Sequence, residues 1–206
     1  MIMQPIRTIV GPAAALPLAN VDTDQIIPAR FMSRSRAEGY GGQCFHDLRF
    51  DEDGRPRDDF PLNTLSVAPK VLVTDDNFGC GSSREAAVYA LLDYGVAAVI
   101  APGFADIFRS NAGKNGLLAI TLPEADVQSL RERLIAEPGI KAIVALPEQR
   151  VSIGDYAFSF EIDPRLKHCL LNGLDDLSAT LEERDRIEAF EEVYFATRNW
   201  VMPTRA

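Results

Sequence analysis

The residues best suited to chemistry lie in one glycine-rich stretch, residues 75–85, whose sequence is DDNFGCGSSRE. Gly79 and Gly81 allow positive φ angles and a close approach of the backbone to a ligand. The amides at the start of the helix predicted to follow have no intrahelical partner, so they attract anions. The stretch is therefore predicted to bind a carboxylate or a phosphate.

Three side chains strengthen this interpretation. Ser82 and Ser83 add hydroxyl groups, and Arg84 adds a planar, permanently charged guanidinium that matches a carboxylate. A cation in the first turn of a helix is disfavoured by the helix dipole unless an anion lies nearby. Arg84 therefore favours an anion site over a purely structural turn.

Two other interpretations of the same stretch remain open. Ser82 and Glu85 have the spacing of a capping box, which requires no function. Cys80 lies close to a helix N-terminus, where a thiol can become a nucleophile, although the sequence identifies no partner base. The spacing matches neither a Walker loop nor the serine elbow of hydrolases. Spacing alone predicts an anion site of unknown chemistry.

The elements around the stretch are predicted to form a strand, a helix and a strand. Lys70–Thr74 is apolar and β-branched, 86–94 is rich in helix formers and ends at Gly95, and 96–101 is a second apolar run. This order is typical of a right-handed βαβ unit with parallel strands. The glycine-rich turn would then lie at the carboxyl end of its strand, where open α/β sheets bind ligands.

Several motifs spread along the chain resemble one known family. They are NVDTDQIIP at 20–28, NFGCGSSRE at 77–85, DYG at 93–95, IAPGFADIF at 100–108, NGLL at 115–118 and HCLLNGLD at 168–175. Together they resemble the small-subunit family of the 3-isopropylmalate dehydratases, in the aconitase superfamily. The likeness covers nearly the whole chain.

The resemblance implies an α/β fold: a swivelling β/β/α domain of aconitase type with a parallel βαβ core and a C-terminal helix. It implies one domain over residues 1–206, with a C-terminal helical tail. The domain would close over a 4Fe-4S cluster carried by a separate large subunit, and this chain would bind no metal. The implied activity is that of a hydro-lyase in leucine biosynthesis, active only as a heterodimer or larger assembly with that subunit.

The resemblance also implies roles for individual residues. Ser82 matches the general base that removes a proton next to a carboxylate, and Ser83 and Arg84 match residues that hold the substrate carboxylate. A second substrate arginine aligns with Ala37, so a one-residue shift of the loop would place Arg36 in that role. A serine can act as a base only when its alkoxide is stabilised, which the helix N-terminus and Arg84 would do.

The chain departs from the family pattern at Ala37, at Ala86, where a histidine is usual, and at Ala119, where a proline is usual. These changes leave the reaction class but open the substrate to homoaconitate, citraconate or methylmalate, and dimethylmalate besides isopropylmalate. Two hypotheses from other classes are a thiol enzyme that depends on Cys80 and a non-catalytic module that binds anions.

Composition sets further bounds. The chain has 206 residues, 47% of them hydrophobic, which is enough for a sizeable core. A net charge of -9 and no basic stripe argue against nucleic acid, so positive charge must be local, with Arg30, Arg34 and Arg36 as further candidates. Three scattered cysteines indicate no disulfide framework and no complete cluster site. With no predicted signal or membrane segment, we expect a soluble cytoplasmic protein.

The remaining elements are predicted from local patterns. We expect a first strand at 7–10, broken by Gly11-Pro12, and a turn in which Asp22 and Asp24 act as caps. Residues 33–59 predict a mobile, partly irregular segment that could gate the cleft, with His46 structural or exposed.

Helices and a hairpin are predicted for the second half of the chain. They are a helix at 124–136, strands at 141–146, 150–153 and 156–162, and a helix from Asp163-Pro164 to Gly173. His168 and Cys169 are assigned to core packing. Thr180 and Glu183 predict a capping box that opens a final helix, whose apolar stripe, Ile187, Phe190 and Tyr194, is expected to pack on this domain.

Overall fold

A computed structural model describes residues 3–33, 35–198 and 200. Within them, seven strands form one sheet in the order β4-β3-β2-β1-β5-β6-β7. The strands are β1 Thr8–Leu16, β2 Val71–Thr74, β3 Ala98–Ala101, β4 Leu118–Thr121, β5 Lys141–Ala145, β6 Arg150–Ile153 and β7 Tyr156–Ser159. The helices are α1 Thr23–Ile26, α2 His46–Arg49, α3 Glu85–Tyr94, α4 Asp106–Lys114, α5 Glu124–Ala136, α6 Pro164–Asn172, α7 Asp176–Leu181 and α8 Arg184–Thr197.

Strand β1 joins the two halves of the sheet. Its first five residues pair antiparallel with β5, and its last four pair parallel with β2. The prediction of a short strand broken by Gly11-Pro12 is therefore wrong. Pro12 has no N–H to donate, but it lies where β1 passes from one partner to the other, and its carbonyl accepts a hydrogen bond from Lys70 N at 2.8 Å.

The predicted βαβ unit is confirmed. Strands β2 and β3 are parallel neighbours and α3 connects them, with Gly95 as its C-cap. β4 extends the parallel part of the sheet by pairing with β3. The strands β2 and β3 are buried on both faces, and apart from Thr74 their residues are all apolar. The parallel unit thus gives the glycine-rich turn a rigid base.

Two hydrophobic clusters cover the two faces of the sheet. One contains residues of α3 and α4 together with Leu72 and Val99. The other contains residues of α5 and α6 together with Val71, Ile100 and the inward side chains of β5 and β6. The predicted hairpin at Gly154 is confirmed, with φ of +56° at that glycine. Each face of the sheet therefore has its own helical cover.

The segment predicted to be irregular consists of short turns. Within 33–59 these are 3₁₀ turns at 36–38 and 40–43 and the four-residue helix α2, and further 3₁₀ turns flank the segment at 29–31 and 61–63. Buried Tyr40, Cys44 and Phe45 fix the segment in the core. His46 packs between Phe31 and Phe50, with ring centroids 4.8 and 5.1 Å away, which confirms a structural role. The gating of the cleft stays a prediction.

The C-terminal third confirms some predictions and corrects others. Asp163 caps α6 and Gly173 ends it, as predicted. The predicted capping box at Thr180 is wrong, because Thr180 lies inside α7 and α8 begins at Arg184 without a side-chain cap.

Two predicted packing arrangements are also wrong. His168 is exposed and pairs with Glu182 at 2.9 Å, so it is not part of the core, because the helix face that carries it points to solvent. No residue of α8 is buried, so its apolar stripe does not pack on this domain. Among the described residues, no helix is long and apolar enough to span a membrane.

Candidate active site

The glycine-rich turn leaves the carboxyl end of β2 and reaches α3 through a backbone with positive φ at Asn77, Gly79 and Gly81. Gly79 faces α4 closely, since a Cβ atom there would lie 2.1 Å from the Cγ atom of Phe108. At Gly81 there is more space, because a Cβ atom would lie 3.4 Å from its nearest neighbour, and it is the φ of +88° that requires glycine. The turn thus depends on glycine for two different reasons.

The Asp-Thr-Asp stretch forms a second wall beside the turn. Gly79 N donates to the Val21 carbonyl at 2.7 Å, and Thr23 N donates to the Cys80 carbonyl at 2.9 Å. Thr23 Oγ1 donates to the Ser82 carbonyl at 3.0 Å. These bonds hold the two segments together like a short pair of parallel strands, so the position of Ser82 depends on Thr23.

Asp22 caps α1 as predicted. Its side chain accepts from Gln25 N at 2.7 Å, and the Gln25 side chain accepts from Asp22 N at 2.9 Å, which completes a capping box. Asp24, in the first turn of α1, instead directs its side chain towards Arg84. Asp22 therefore stabilises the start of α1, whereas Asp24 pairs with Arg84.

Ser82 and Ser83 are exposed. In the described part of the chain, neither hydroxyl has a hydrogen-bond partner, and the amides of Ser82, Ser83 and Arg84 have no acceptor. The capping-box interpretation of Ser82 is wrong, because α3 begins at Glu85 with Arg84 as its N-cap residue and no side-chain cap. Two hydroxyls and several amides are thus available to a ligand.

Arg84 pairs with Asp24 through a single guanidinium nitrogen, Nη1. Its side chain is 18% exposed and that of Asp24 is 54% exposed. The hydrogen bond from Arg84 holds the pKa of the Asp24 carboxyl below its usual range, so this carboxylate is ionised at neutral pH. The pair shows that a carboxylate fits against Arg84, and most donors of the guanidinium fork remain open.

The other predicted cations do not lie with Arg84. Arg36 pairs bidentately with Asp93, at 2.9 Å from Nε and 2.6 Å from Nη2, and its guanidinium lies 4.2 Å from the ring centroid of Tyr89. Asp93 lies eight residues after the start of α3, roughly 12 Å along the helix axis. Arg30 pairs with Asp47, and Arg34 lies outside the described residues. Ala37 is exposed beside Arg36.

Asn115 supports the start of α3. Its side-chain nitrogen donates to Glu85 Oε1 at 2.7 Å and to the Asn111 carbonyl at 2.9 Å. The sequence marked Asn115 only as part of a motif and gave it no role. Its spacing of 30 residues from Glu85 carries no local signal that would have revealed the contact.

Cys80 is half-buried at the turn, and its thiol donates to the Asn20 carbonyl at 3.4 Å. A carbonyl group cannot act as the base that a cysteine nucleophile needs. Cys44 is fully buried, and burial raises the pKa of its thiol. The geometry therefore gives no support to a thiol mechanism.

The cysteines of this chain do not form a metal site. Cys44 lies in the core, Cys80 at the turn and Cys169 on α6. Among the residues that the structure describes, no group of three or more His, Cys, Asp or Glu side chains could hold a metal ion. The donor set of this chain thus does not fit an iron–sulfur cluster, which needs convergent thiolates.

A cavity of about 720 Å³ lies away from the turn, between α4, β4 and α6. Neither Ser82 nor Arg84 lines it. The serine hydroxyls and free amides of the turn face the surface instead. We place the candidate active site at the turn because it carries these groups and Arg84. An open site of this kind suits a protein whose active site is completed by a second surface that closes over it.

Comparisons with known proteins agree with this geometry. The sequence profile of the family described as Aconitase C-terminal domain matches residues 3–125, which include the sheet strands β1 to β4 and the whole glycine-rich turn. The fold and the site thus define an aconitase-type domain.

Full-length relatives narrow the family. The 3-isopropylmalate dehydratase small subunits of Dinoroseobacter shibae and Jannaschia sp. are 45% and 47% identical to it, and both alignments cover 97% of this chain and 100% of the relative. The crystal structure of 3-isopropylmalate dehydratase from Methanocaldococcus jannaschii matches with a TM-score of 0.61 and 28% identity, over 89% of this chain and 99% of that one. The chain belongs to the family of 3-isopropylmalate dehydratase small subunits. A dehydratase of this kind is a hydro-lyase, and its small subunit works with a large subunit.

Proposed function

We propose that this chain supplies the base and the carboxylate-binding groups of a 3-isopropylmalate dehydratase, which interconverts 2- and 3-isopropylmalate in leucine biosynthesis. One observation carries the proposal: in the described chain, the Ser82 and Ser83 hydroxyls and the amides of residues 82–84 have no protein partner and lie in the turn that also carries Arg84. A dicarboxylate with an acidic C–H next to one carboxylate suits this set of groups.

Ser82 acts as the general base in this proposal. Its Oγ takes the proton from the carbon next to the substrate carboxylate, and returns a proton to carbon in the rehydration direction. The alkoxide that this role requires is stabilised by the free amides at the start of α3 and by the charge of Arg84. Exposure of the hydroxyl leaves its oxygen open to the substrate.

Ser83 and Arg84 hold the substrate carboxylate. The contact between Asp24 and Arg84 serves as a template for this interaction, since both are carboxylate–guanidinium pairs. Asp24 keeps Arg84 oriented through Nη1, and the remaining donors of the fork bind the substrate. Arg36 would join the site only after it leaves Asp93, and we retain it as a substrate ligand of the closed state.

The 4Fe-4S cluster belongs to the large subunit in this proposal, because the thiols of this chain do not converge. When bound there, the cluster supplies a Lewis acid for the leaving hydroxyl group. The complementary task of this chain is to bind the carboxylate, exclude water and move the proton at Ser82 Oγ.

The test is co-expression with the large subunit, anaerobic reconstitution of the cluster and assay with a panel of hydroxy-diacids. Isopropylmalate should give the highest kcat/KM, ahead of homoaconitate, citraconate or methylmalate, and dimethylmalate. The small subunit alone should give no turnover. A reconstituted complex that prefers another diacid would overturn the assigned substrate, and turnover by the isolated chain would overturn the division of labour.

A further inference from the structure

The end of the chain forms an arm, which we define as helices α7 and α8, residues 176–197. No residue of α8 is buried, and in α7 only Ala179 is. The arm carries large apolar side chains that are exposed to solvent: Leu177 is 68%, Phe190 64% and Val193 66% exposed. Large exposed apolar side chains that group together on one element mark an interaction site.

Three exposed apolar residues of α8 share one face with half-buried Tyr194. At 3.6 residues per turn, Ile187, Phe190, Val193 and Tyr194 fall within about a third of the helix circumference. Phe190 and Tyr194 stack with ring centroids 5.4 Å apart. We call these four residues the stripe. The opposite face is charged, and it carries Asp185, Glu188 and Glu192. An amphipathic helix whose apolar face contacts no core needs a partner surface.

The arm begins beside the candidate active site. Lys114 Nζ pairs with Asp176 Oδ2 at 2.9 Å, in the first turn of α7. The next residue along the chain, Asn115, bonds to Glu85, which follows Arg84 directly. These two side-chain contacts link Glu85, the residue after Arg84, to the base of the arm. A partner that covers Arg84 would therefore lie close to the arm.

The 720 Å³ cavity connects the domain to the arm. Leu117, Leu166 and Leu170 contribute to its apolar lining, and Leu174 and Asp176 line its end at the base of α7. The cavity thus adjoins the base of the arm.

We infer that the arm and the adjoining cavity are the docking surface for the large subunit. This inference rests on the proposed function, in which the large subunit closes over Ser82 and Arg84. A partner in that position continues directly onto the base of the arm, so one protein covers both. Because Glu191 lies at one edge of the stripe, four residues after Ile187, the matching surface of the large subunit should carry a Lys or Arg beside an apolar groove.

The test compares two double variants of the full chain. Phe190→Glu with Val193→Glu places two charges in the stripe. Glu188→Gln with Glu192→Gln changes two charges on the opposite, charged face of the same helix and serves as the control. Binding to the purified, cluster-loaded large subunit of the same organism is measured by biolayer interferometry, and folding by circular dichroism and thermal melting.

The stripe variant should weaken binding at least about 30-fold, as expected for central apolar contacts, with an unchanged melting temperature. The control should bind within a few-fold of the wild type. Equal binding by the stripe variant and the wild type would overturn the inference. A wild-type chain that self-associates through the stripe in sedimentation experiments, with binding to the large subunit unaffected by the variant, would assign the surface to a second copy and also overturn it.

Activity assays separate this inference from the proposed function. At saturating large subunit, the stripe variant should recover kcat, because its catalytic groups are intact. Ser82→Ala should bind the large subunit with wild-type affinity and still lack turnover. If only the stripe variant departs from expectation and does not recover kcat, the result counts against the docking surface. If only Ser82→Ala departs from expectation and retains turnover, the result counts against Ser82 as the base.

Discussion

Ser82 and Arg84 have opposite surroundings although they are two residues apart. The Ser82 side chain has no protein partner in the described chain, whereas Arg84 is held by Asp24, which lies 60 residues away in sequence. In the proposed mechanism, the free group is the one that must change its protonation state. The fixed group is the one that must supply constant charge, and this division suits a base beside a carboxylate-binding site.

Ser82→Ala should lower kcat of the reconstituted complex by at least about 100-fold with little change in KM, because the base acts on bound substrate. Steady-state kinetics on isopropylmalate measures both. Ser83→Ala is the neighbouring comparison, and it should raise KM more than it lowers kcat. Wild-type turnover by the Ser82 variant would remove Ser82 from the mechanism.

Arg84→Lys should raise KM about 10-fold or more, since a lysine keeps the charge but loses the fork that matches a carboxylate. The pair with Asp24 should weaken as well. Initial-rate kinetics at saturating large subunit checks this. An unchanged KM would show that charge alone, without fork geometry, holds the substrate.

The Asp24–Arg84 pair predicts a pH dependence of stability. Arg84 lowers the pKa of Asp24 in the folded state, so the pair stabilises the fold above the unfolded carboxyl pKa near 4, and this stabilisation is lost as the pH falls through the folded value. Because Asp24 is 54% exposed, Asp24→Asn should cost less than about 1 kcal/mol at pH 7.

Urea unfolding of the wild type and of Asp24→Asn, at pH 7 and at pH 3, tests that pH dependence. The difference in free energy of unfolding should shrink at the lower pH. A difference that grows on acidification would mean that the Asp24 carboxylate is destabilising in the folded state.

At the scale of elements, the glycine-rich turn owes its shape to two distinct constraints. Gly79 faces the Phe108 ring and also has φ of +78°, whereas Gly81 has φ of +88° with space around it. Gly79→Ala should therefore destabilise the fold by about 2–4 kcal/mol, and Gly81→Ala by about 1 kcal/mol. Chemical denaturation of both variants measures the difference, and equal losses would contradict the close approach at Gly79.

Elements with strong local signals could be predicted from the sequence. Asp163-Pro164 and Gly173 fix the ends of α6, and apolar spacing fixes α5 at Glu124–Ala136. Local chemistry decides such boundaries, because caps and helical periodicity act within a few residues. The residues of the glycine-rich turn have local sequence signals of the same kind, and their catalytic roles stay a prediction.

Features that depend on distant residues could not be predicted in this way. Strand β1 continues through Gly11-Pro12 because β5 and β2 take over its two halves. The contacts of Arg84 with Asp24 and of Arg36 with Asp93 join residues 60 and 57 positions apart. The exposed side of α8 also gave no signal, since a stripe that meets a core and one that meets a partner have the same periodicity.

At the scale of the whole molecule, we expect helix α8 to be separable from the domain. Removal of residues 184–206 should shift the melting temperature by less than about 2 °C, because no residue of α8 is buried. Thermal unfolding followed by circular dichroism measures this shift. A large loss of stability would show that the domain depends on its C-terminal helix.

Strand β1 has a consequence for how the protein is made. The parallel strands β2 to β4 have all left the ribosome once residue 121 has emerged, but the antiparallel partner of β1 begins only at residue 141. Until then, the first half of β1 presents an unpaired strand edge during synthesis. Completion of the sheet therefore waits for β5, and the N-terminal segment of a nascent chain is the part that chaperones have most reason to shield.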